Sequence, residues 1–211
     1  MRITKFGHAC LLVTDADARV LIDPGVFSPG WETLTGLTGV LVTHSHPDHV
    51  DPARIGALIS ANPTAAVHAD ADGANVMAEA GVTASVVAPG DTLDVGTAVE
   101  VVGGDGRHAL IHPDVPRVTN VGYLIGGRLL HPGDSLEVPA QDVEILALPV
   151  MAPWMALKEA IEFYRAVDPA VGVPIHEKLL ANTSMFYAQL ARLGPAGSRF
   201  LDLDDGAPVD L

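Results

Sequence analysis

Thr43-His44-Ser45-His46-Pro47-Asp48-His49 follows directly on the apolar run Val40-Leu41-Val42. The run is short and β-branched, as a buried strand is. It predicts a strand whose end delivers His44, His46, Asp48 and His49 to a sheet edge. Three imidazoles at this spacing have no low-cost structural role, because each buried imidazole needs its own hydrogen-bond partner. Neutral imidazole nitrogen together with carboxylate oxygen is the ligand mixture that zinc and its neighbours accept. A metal site is therefore the expectation, with a solvated polar loop as the ordinary alternative.

Upstream, alternating or apolar runs predict strands over 2–6, 10–13 and 20–22, with a hairpin turn at 15–18 and Asp23-Pro24-Gly25 as a stop. Residues 26–39 read as a loop. Downstream, Asp51 before Pro52 predicts a helix N-cap with proline at the first helical position. Helices are predicted over 53–60, 73–80, 156–167 and 184–193. Further strands are predicted over 65–68, 84–87, 91–93, 97–102, 120–125, 128–131, 143–148, 170–175 and 199–203, with a hairpin through Gly126-Gly127. The order is neither strict βαβ alternation nor all-β. It suits an α/β (α+β) chain with helices packed outside two sheets. No linker, low-complexity tract or short repeat divides it, so one domain over 1–211 is the expectation.

Hydrophobic residues make up 48% of the chain and aromatics only 5%, which predicts a core of Ala, Val, Leu and Ile. At 211 residues such a core needs no disulfide, and Cys10 is the only cysteine. The 26 acidic residues outnumber the 12 basic ones, with no Lys/Arg cluster, which argues against nucleic acid as a partner. No uninterrupted apolar stretch is long enough to cross a bilayer, and residues 1–5 lack the apolar segment of a secretory signal. No membrane partner and a cytoplasmic location are the corresponding expectations.

The remaining candidates fall just past predicted strands. His108 follows 97–102 and its glycine-rich turn, Asp134 lies in His131-Pro132-Gly133-Asp134-Ser135 after 128–131, and His176 follows 170–175. Singly, each reads as a surface or turn residue. Their shared place at strand ends lets them converge on the 44–49 loop. The ordered set His44-x-His46-x-Asp48-His49, His108, Asp134 and His176 resembles the signature of the metallo-β-lactamase-fold hydrolases. Gly7-His8-Ala9-Cys10-Leu11, Leu21-Ile22-Asp23-Pro24 and Leu130-His131-Pro132-Gly133-Asp134-Ser135 resemble segments of one branch, which holds small metal-dependent hydrolases and relatives of ascorbate 6-phosphate lactonase. The likeness covers roughly residues 3–180.

The resemblance implies a four-layer αββα sandwich with a dinuclear site. His44, His46 and His108 would hold one ion, Asp48, His49 and His176 the other, and Asp134 would bridge them. It implies an enzyme, a metal-dependent hydrolase in which water activated by two ions attacks a small-molecule ester, lactone, amide or phosphodiester. Asp48, His46 and Asp134 are the candidate catalytic residues, with Asp48 both a ligand and a proton acceptor. Zinc, two per chain, leads; manganese or iron are the alternatives. An anionic substrate and a homo-oligomer that covers an open cleft are both admitted. A mononuclear iron oxidoreductase and a non-enzymatic metal-binding protein are the competing readings. The Asp48-His49 pair together with His176 favours two metals and hydrolysis over the first, and no basic patch or partner-binding tail supports the second.

Several neighbours carry two readings each. His8 either supports the metal ligands or simply packs, and His112 is the alternative to His108. Trp154 either lines the cleft or packs a helix, and Arg117, in a candidate specificity loop over 112–120, either meets an anionic group or makes a surface ion pair. Asp23 is expected to support the His loop by hydrogen bonding, with His131 in support of the site or purely structural and His68 structural.

Overall fold

The computed structural model describes residues 1–211. The chain first builds β1 (Arg2–Lys5), β2 (Leu11–Asp15), β3 (Ala18–Ile22), β4 (Gly39–Val42), β5 (Ala66–Ala69) and β6 (Ser85–Val86). It then builds β7 (Thr92–Asp94), β8 (Ala98–Val102), β9 (Gly122–Ile125), β10 (Leu129–His131), β11 (Ile145–Pro149), β12 (Val171–Ile175) and β13 (Arg199–Phe200), and ends in β14 (Val209–Asp210). Two seven-stranded sheets result, ordered β14-β1-β2-β3-β4-β5-β6 and β13-β12-β11-β10-β9-β8-β7.

The apolar pattern explains the layering. Leu11, Val13, Val20, Ile22 and Leu41 face Tyr123, Ile125, Ile145, Ala147 and Val173 in a core between the sheets. The alternate residues Leu12, Leu21, Val40 and Val42 face outward onto Ile55, Leu58 and Met77 of α1 (Ile55–Ala61) and α2 (Ala71–Glu79). On the second sheet, Leu124, Leu130, Leu146 and Leu148 pack on Ala160, Phe163, Tyr164 and Leu190 of α3 (Leu157–Val167) and α4 (Ser184–Leu193). Strands buried on both faces read as near-continuous apolar runs. The layers are therefore helices, sheet, sheet, helices: the expected αββα sandwich. No helix is long and apolar enough to cross a membrane.

Strand direction positions the site. β3, β4 and β5 are parallel, and β1 shares their direction through two antiparallel pairings. In the second sheet β10, β11 and β12 are parallel, and β8 shares their direction in the same way. The loops past these strands meet at one end of the sandwich. There Val121 N–H donates to the Thr43 carbonyl at 2.9 Å and the Tyr123 hydroxyl donates to the Val42 carbonyl at 2.9 Å, stitching sheet to sheet.

Most predicted elements form, with informative differences. The hairpin turn narrows to Ala16-Asp17, and Gly126-Gly127 both take positive φ, as a tight hairpin requires. α1 starts at Ile55, because the Asp51 carboxylate caps a preceding turn through Ala53 N–H at 2.9 Å and is paired with Arg54. α2 begins earlier than 73, since Asp70 is its N-cap and accepts from Gly73 N–H at 2.9 Å and Asp72 N–H at 3.2 Å. The expected strand 199–203 shortens to β13, and β14 was not expected. It pairs with β1 through Arg2↔Asp210 and Ile3↔Val209, where the Arg2 guanidinium donates to the Asp210 carboxylate at 2.8 and 2.9 Å.

Asp70 is buried and also accepts from the Thr119 hydroxyl. Burial pushes its carboxyl from 3.8 up to about 6, only partly offset by Thr119 and the α2 amides. The folded state holds this proton more tightly than the unfolded chain does. Its contribution is thus complete below about pH 4 and is lost as the pH rises through about 6. Asp70→Asn keeps the cap and removes the proton. Between about pH 4 and 7, wild type should lose on the order of 1–3 kcal/mol relative to Asp70→Asn in urea unfolding. Parallel pH curves for the two proteins would contradict this.

Candidate metal centre

The residues that gather at the site each follow a strand that points at the same end. His8 follows β1, Asp23 follows β3, and His44 to His49 follow β4; His108, Asp134, Trp154 and His176 lie beyond β8, β10, β11 and β12. The structure brings His44, His46, Asp48, His49, His108, Asp134 and His176 together. They form two groups, His44-His46-His108-Asp134 and His8-Asp48-His49-His176, and within each group the ligand atoms lie within 4.8 Å of one another. The rings of His44, His46 and His108 form a triangle with centroids 4.7, 4.7 and 5.0 Å apart.

Tight backbone packing holds the loop. A Cβ on Gly25 would collide with the Asp48 carbonyl, and Val26 N–H donates to the Pro47 carbonyl at 2.8 Å. Gly133, at φ +60°, packs against Thr43 and Asn120 with no room for a side chain. Non-glycine residues with positive φ are uncommon, and three of the five here are His8, Asp23 and His176. Such conformations persist where the surrounding contacts over-determine them, and they gather at functional sites.

Asp23 is the principal strut. Its Oδ1 accepts Thr43 N–H at 2.8 Å, and its Oδ2 accepts the Thr43 hydroxyl at 2.7 Å and His49 Nδ1–H at 2.6 Å. With its own proton committed, the Thr43 hydroxyl accepts from His44 Nδ1–H at 3.1 Å. His108 Nδ1–H donates to the Ala109 carbonyl at 2.6 Å. In all three imidazoles a partner on Nδ1 leaves Nε2 as the lone-pair atom, the arrangement metal-ligating histidines adopt.

Those Nε2 atoms converge on Asp134. His108 lies 3.0 Å from Oδ2 and His44 3.9 Å, while His176 lies 2.7 Å and His49 3.2 Å from Oδ1. His49 Nε2 and His176 Nε2 are themselves 2.9 Å apart. Buried His44 Nε2 and Asp134 Oδ1 have no hydrogen-bond partner. Lone pairs aimed at a carboxylate repel unless positive charge lies among them. Nitrogen and oxygen donors in this number fit divalent metal ions.

The electrostatics show the same demand for positive charge. Burial opposes a charge on His49, yet Asp23 and Asp134 on its two sides raise it well above the usual imidazole range. Burial and then His49 hold His44 well below that range, and burial and His108 lower His46. Burial would raise Asp134, but His176, His49 and His44 hold it well below the usual carboxylate range.

The neighbours resolve as follows. His8 Nε2 meets Asp48 Oδ2 at 3.0 Å and its ring lies 4.2 Å from that of His176, so it belongs to the second group, a place the motif reading left open. Burial pushes His8 down to about 4, with Asp48 opposing. His8 N–H donates to Glu177 Oε1 at 2.8 Å, and Glu177 pairs with buried Lys5 at 2.8 Å. Trp154 Nε1–H donates to Asp134 Oδ2 at 2.9 Å and lines the cleft. His112 is exposed beside Asp114, apart from both groups. Arg117 turns its Nε–H onto the His108 carbonyl at 2.8 Å and pairs with Asp105 at 3.3 Å, which positions the His108 segment. His131 is structural: Nε2–H donates to the Ala9 carbonyl at 2.8 Å, and Nδ1 accepts Gly133 N–H at 3.2 Å. His68 lies on β5, away from both groups. Cys10 is buried in the outer core, where burial holds its thiol far above the ordinary range.

Residues 2–176 match the family model described as the beta-lactamase superfamily domain. Protein Rv0786c of Mycobacterium tuberculosis is 43% identical over 92% of both chains. A UPF0173 metal-dependent hydrolase of Methanocaldococcus jannaschii is 27% identical over 82% of this chain and 83% of its own. Among solved structures, the metallo-beta-lactamase fold protein YhfI from Bacillus subtilis aligns with a TM-score of 0.70 at 16% identity, covering 99% of this chain and 98% of YhfI. CmlA, a diiron beta-hydroxylase from Streptomyces venezuelae, aligns with a TM-score of 0.78 at 16% identity, covering this whole chain and 54% of CmlA.

Asp23→Ala leaves Thr43 N–H and His49 Nδ1–H buried and unmet. The expected cost is on the order of 3 kcal/mol in urea unfolding, with zinc affinity about 10–100-fold weaker in competition titration. A variant that matches wild type in both would contradict the role given to Asp23.

Proposed function

Because the chain belongs to the beta-lactamase superfamily domain family and is a metal-dependent hydrolase, we propose that residues 1–211 act as one unit that hydrolyses a small molecule with two divalent ions, zinc first among them. The observation that carries this reading is the meeting of two four-residue groups at Asp134, whose two carboxylate oxygens face different groups: Oδ2 toward His108 and Oδ1 toward His176. In this reading His44, His46 and His108 hold one ion. Asp48, His49 and His176 hold the other, and Asp134 stands between them. When bound, the ions supply Lewis acidity at neutral pH.

The chain's own residues supply position and proton handling. Asp23 and Thr43 commit the Nδ1 protons of His49 and His44, so both rings offer Nε2 inward. Trp154 Nε1–H fixes Oδ2 of Asp134 from the cleft side. Asp48 lies at the cleft wall, its carboxylate held by His8. Burial would raise Asp48, but His8, His49 and His176 keep it ionised, able to orient the attacking water by accepting its hydrogen bond. His46, part-exposed at the cleft, completes the first group.

Oxidative chemistry on bound iron is the second reading, favoured by the fold shared with CmlA. Fold alone does not choose a reaction. The relatives named as metal-dependent hydrolases favour hydrolysis.

The test is a panel of esters, lactones, amides and phosphodiesters with zinc-loaded and iron-loaded protein. Hydrolysis by wild type should fall at least about 100-fold in both His46→Ala and Asp134→Asn, with chelation abolishing it. Oxygen consumption by the iron form, with no hydrolysis by either form, would replace this reading with the oxidative one.

A further inference from the structure

The cleft over the two groups has a volume of about 330 Å³. That is roughly the share of liquid taken by eleven waters, and it lies within the range of small-molecule sites. Two kinds of side chain line it. Every polar one, from His46 and Asp48 to His176, belongs to the two groups already described. The rest of the wall is Val26, Phe27, Ile111, Pro153, Trp154 and Leu179, with Pro47 beside them. No lysine, arginine, serine, threonine, asparagine or glutamine reaches it.

The nearby cations stand outside this cleft, Arg117 in a smaller cavity that borders it at His46, His108 and Ile111. Arg117 spends its guanidinium on the His108 carbonyl and on Asp105. Lys178 packs over Gly7 and stands 3.6 Å from Glu177. At the mouth, Val26, Phe27, Ile111 and Leu179 stay between 38% and 43% exposed, from three separate stretches of the chain. Scattered single apolar residues on a surface need no explanation, but a cluster around a concave site marks a ligand surface. A substrate with a carboxylate or phosphate away from its reacting centre would place that charge against apolar walls, with no counter-ion, on a protein of net charge −14. Recognition of such an anion uses fixed Arg or Lys groups, and this cleft offers none.

We propose that the substrate is a small, uncharged and largely apolar molecule, whose hydrocarbon part lies against Phe27, Ile111, Leu179 and Trp154 while its hydrolysable group faces Asp134. This rests on the hydrolase reading for the reaction, although the apolar subsite stands on its own geometry. It replaces the anionic substrate admitted from the motifs alone.

The test uses a matched pair, neutral 2-acetylnaphthalene and anionic 6-acetyl-2-naphthoate (the naphthoate below), which keeps the acetyl group and adds a carboxylate at the far end of the ring, titrated into both metal-free and zinc-loaded full-length protein. The readout is tryptophan emission. Trp154 lines the cleft, while Trp31, the other tryptophan, is fully buried under the first sheet and gives a constant background. The neutral ketone should bind at least about tenfold more tightly than naphthoate in both forms. Lengthening its alkyl chain should tighten binding by up to about fourfold per methylene until the wall is filled. Leu179→Lys should weaken the ketone and strengthen naphthoate.

Naphthoate binding as tightly as the ketone in the zinc-loaded protein would overturn the substrate class and leave the metal reading intact. Ketone binding by a protein that takes up no zinc would support the apolar subsite and sink the metal reading instead. Trp154 emission unmoved by the ketone up to its solubility limit would overturn the subsite itself.

Discussion

A single buried carboxylate faced by four imidazole Nε2 atoms sets the terms for the rest of this structure. Asp134 has His176, His108, His49 and His44 within 4 Å, and the Nδ1 atoms of His49, His44 and His108 are engaged elsewhere, which turns their Nε2 atoms inward. Without added positive charge the arrangement repels itself. Burial would multiply that cost, since the surroundings screen poorly. Such a cluster is kept only if the fold holds it by force and something positive belongs in it.

The fold supplies the force. Parallel strands in both sheets bring their C-terminal ends to one edge, where ligands collect in open sheets with this direction. The core between the sheets and the two outer cores fix the strands, and hydrogen bonds across the sheets fix the loops. Asp23 then carries the loop's orientation into the imidazole tautomers. Lys5 and Glu177 extend the support behind His8, tying the end of the first strand to the turn after His176. The left-handed backbones of His8, Asp23 and His176 are a local cost, on the order of 1–2 kcal/mol each, and the wider packing offsets it.

Much of this was legible in the residues themselves. His44 to His49 announce a site because the signal is local: four ligand side chains beside a β-branched run. His108, Asp134 and His176 were reachable because each follows a strand, and strands show as apolar runs. What stayed open depends on contacts between distant segments. His8 meets Asp48 across 40 positions of chain, and Trp154 meets Asp134 across 20. Neither partner leaves a mark on the other's neighbourhood. The terminal strand β14 was invisible because two residues carry no periodicity, and only its pairing with β1, through Arg2↔Asp210 and Ile3↔Val209, defines it. The start of α1 moved because Asp51 spends its carboxylate on a turn and on Arg54.

The central claim is that two cations belong on either side of Asp134. Anomalous diffraction at the zinc edge, on crystals grown with zinc, addresses it without any substrate. The account predicts two peaks, one among His44, His46 and His108 and one among Asp48, His49 and His176, with an Asp134 oxygen on each. No peak within reach of Asp134, with zinc held only at surface carboxylates, would contradict it.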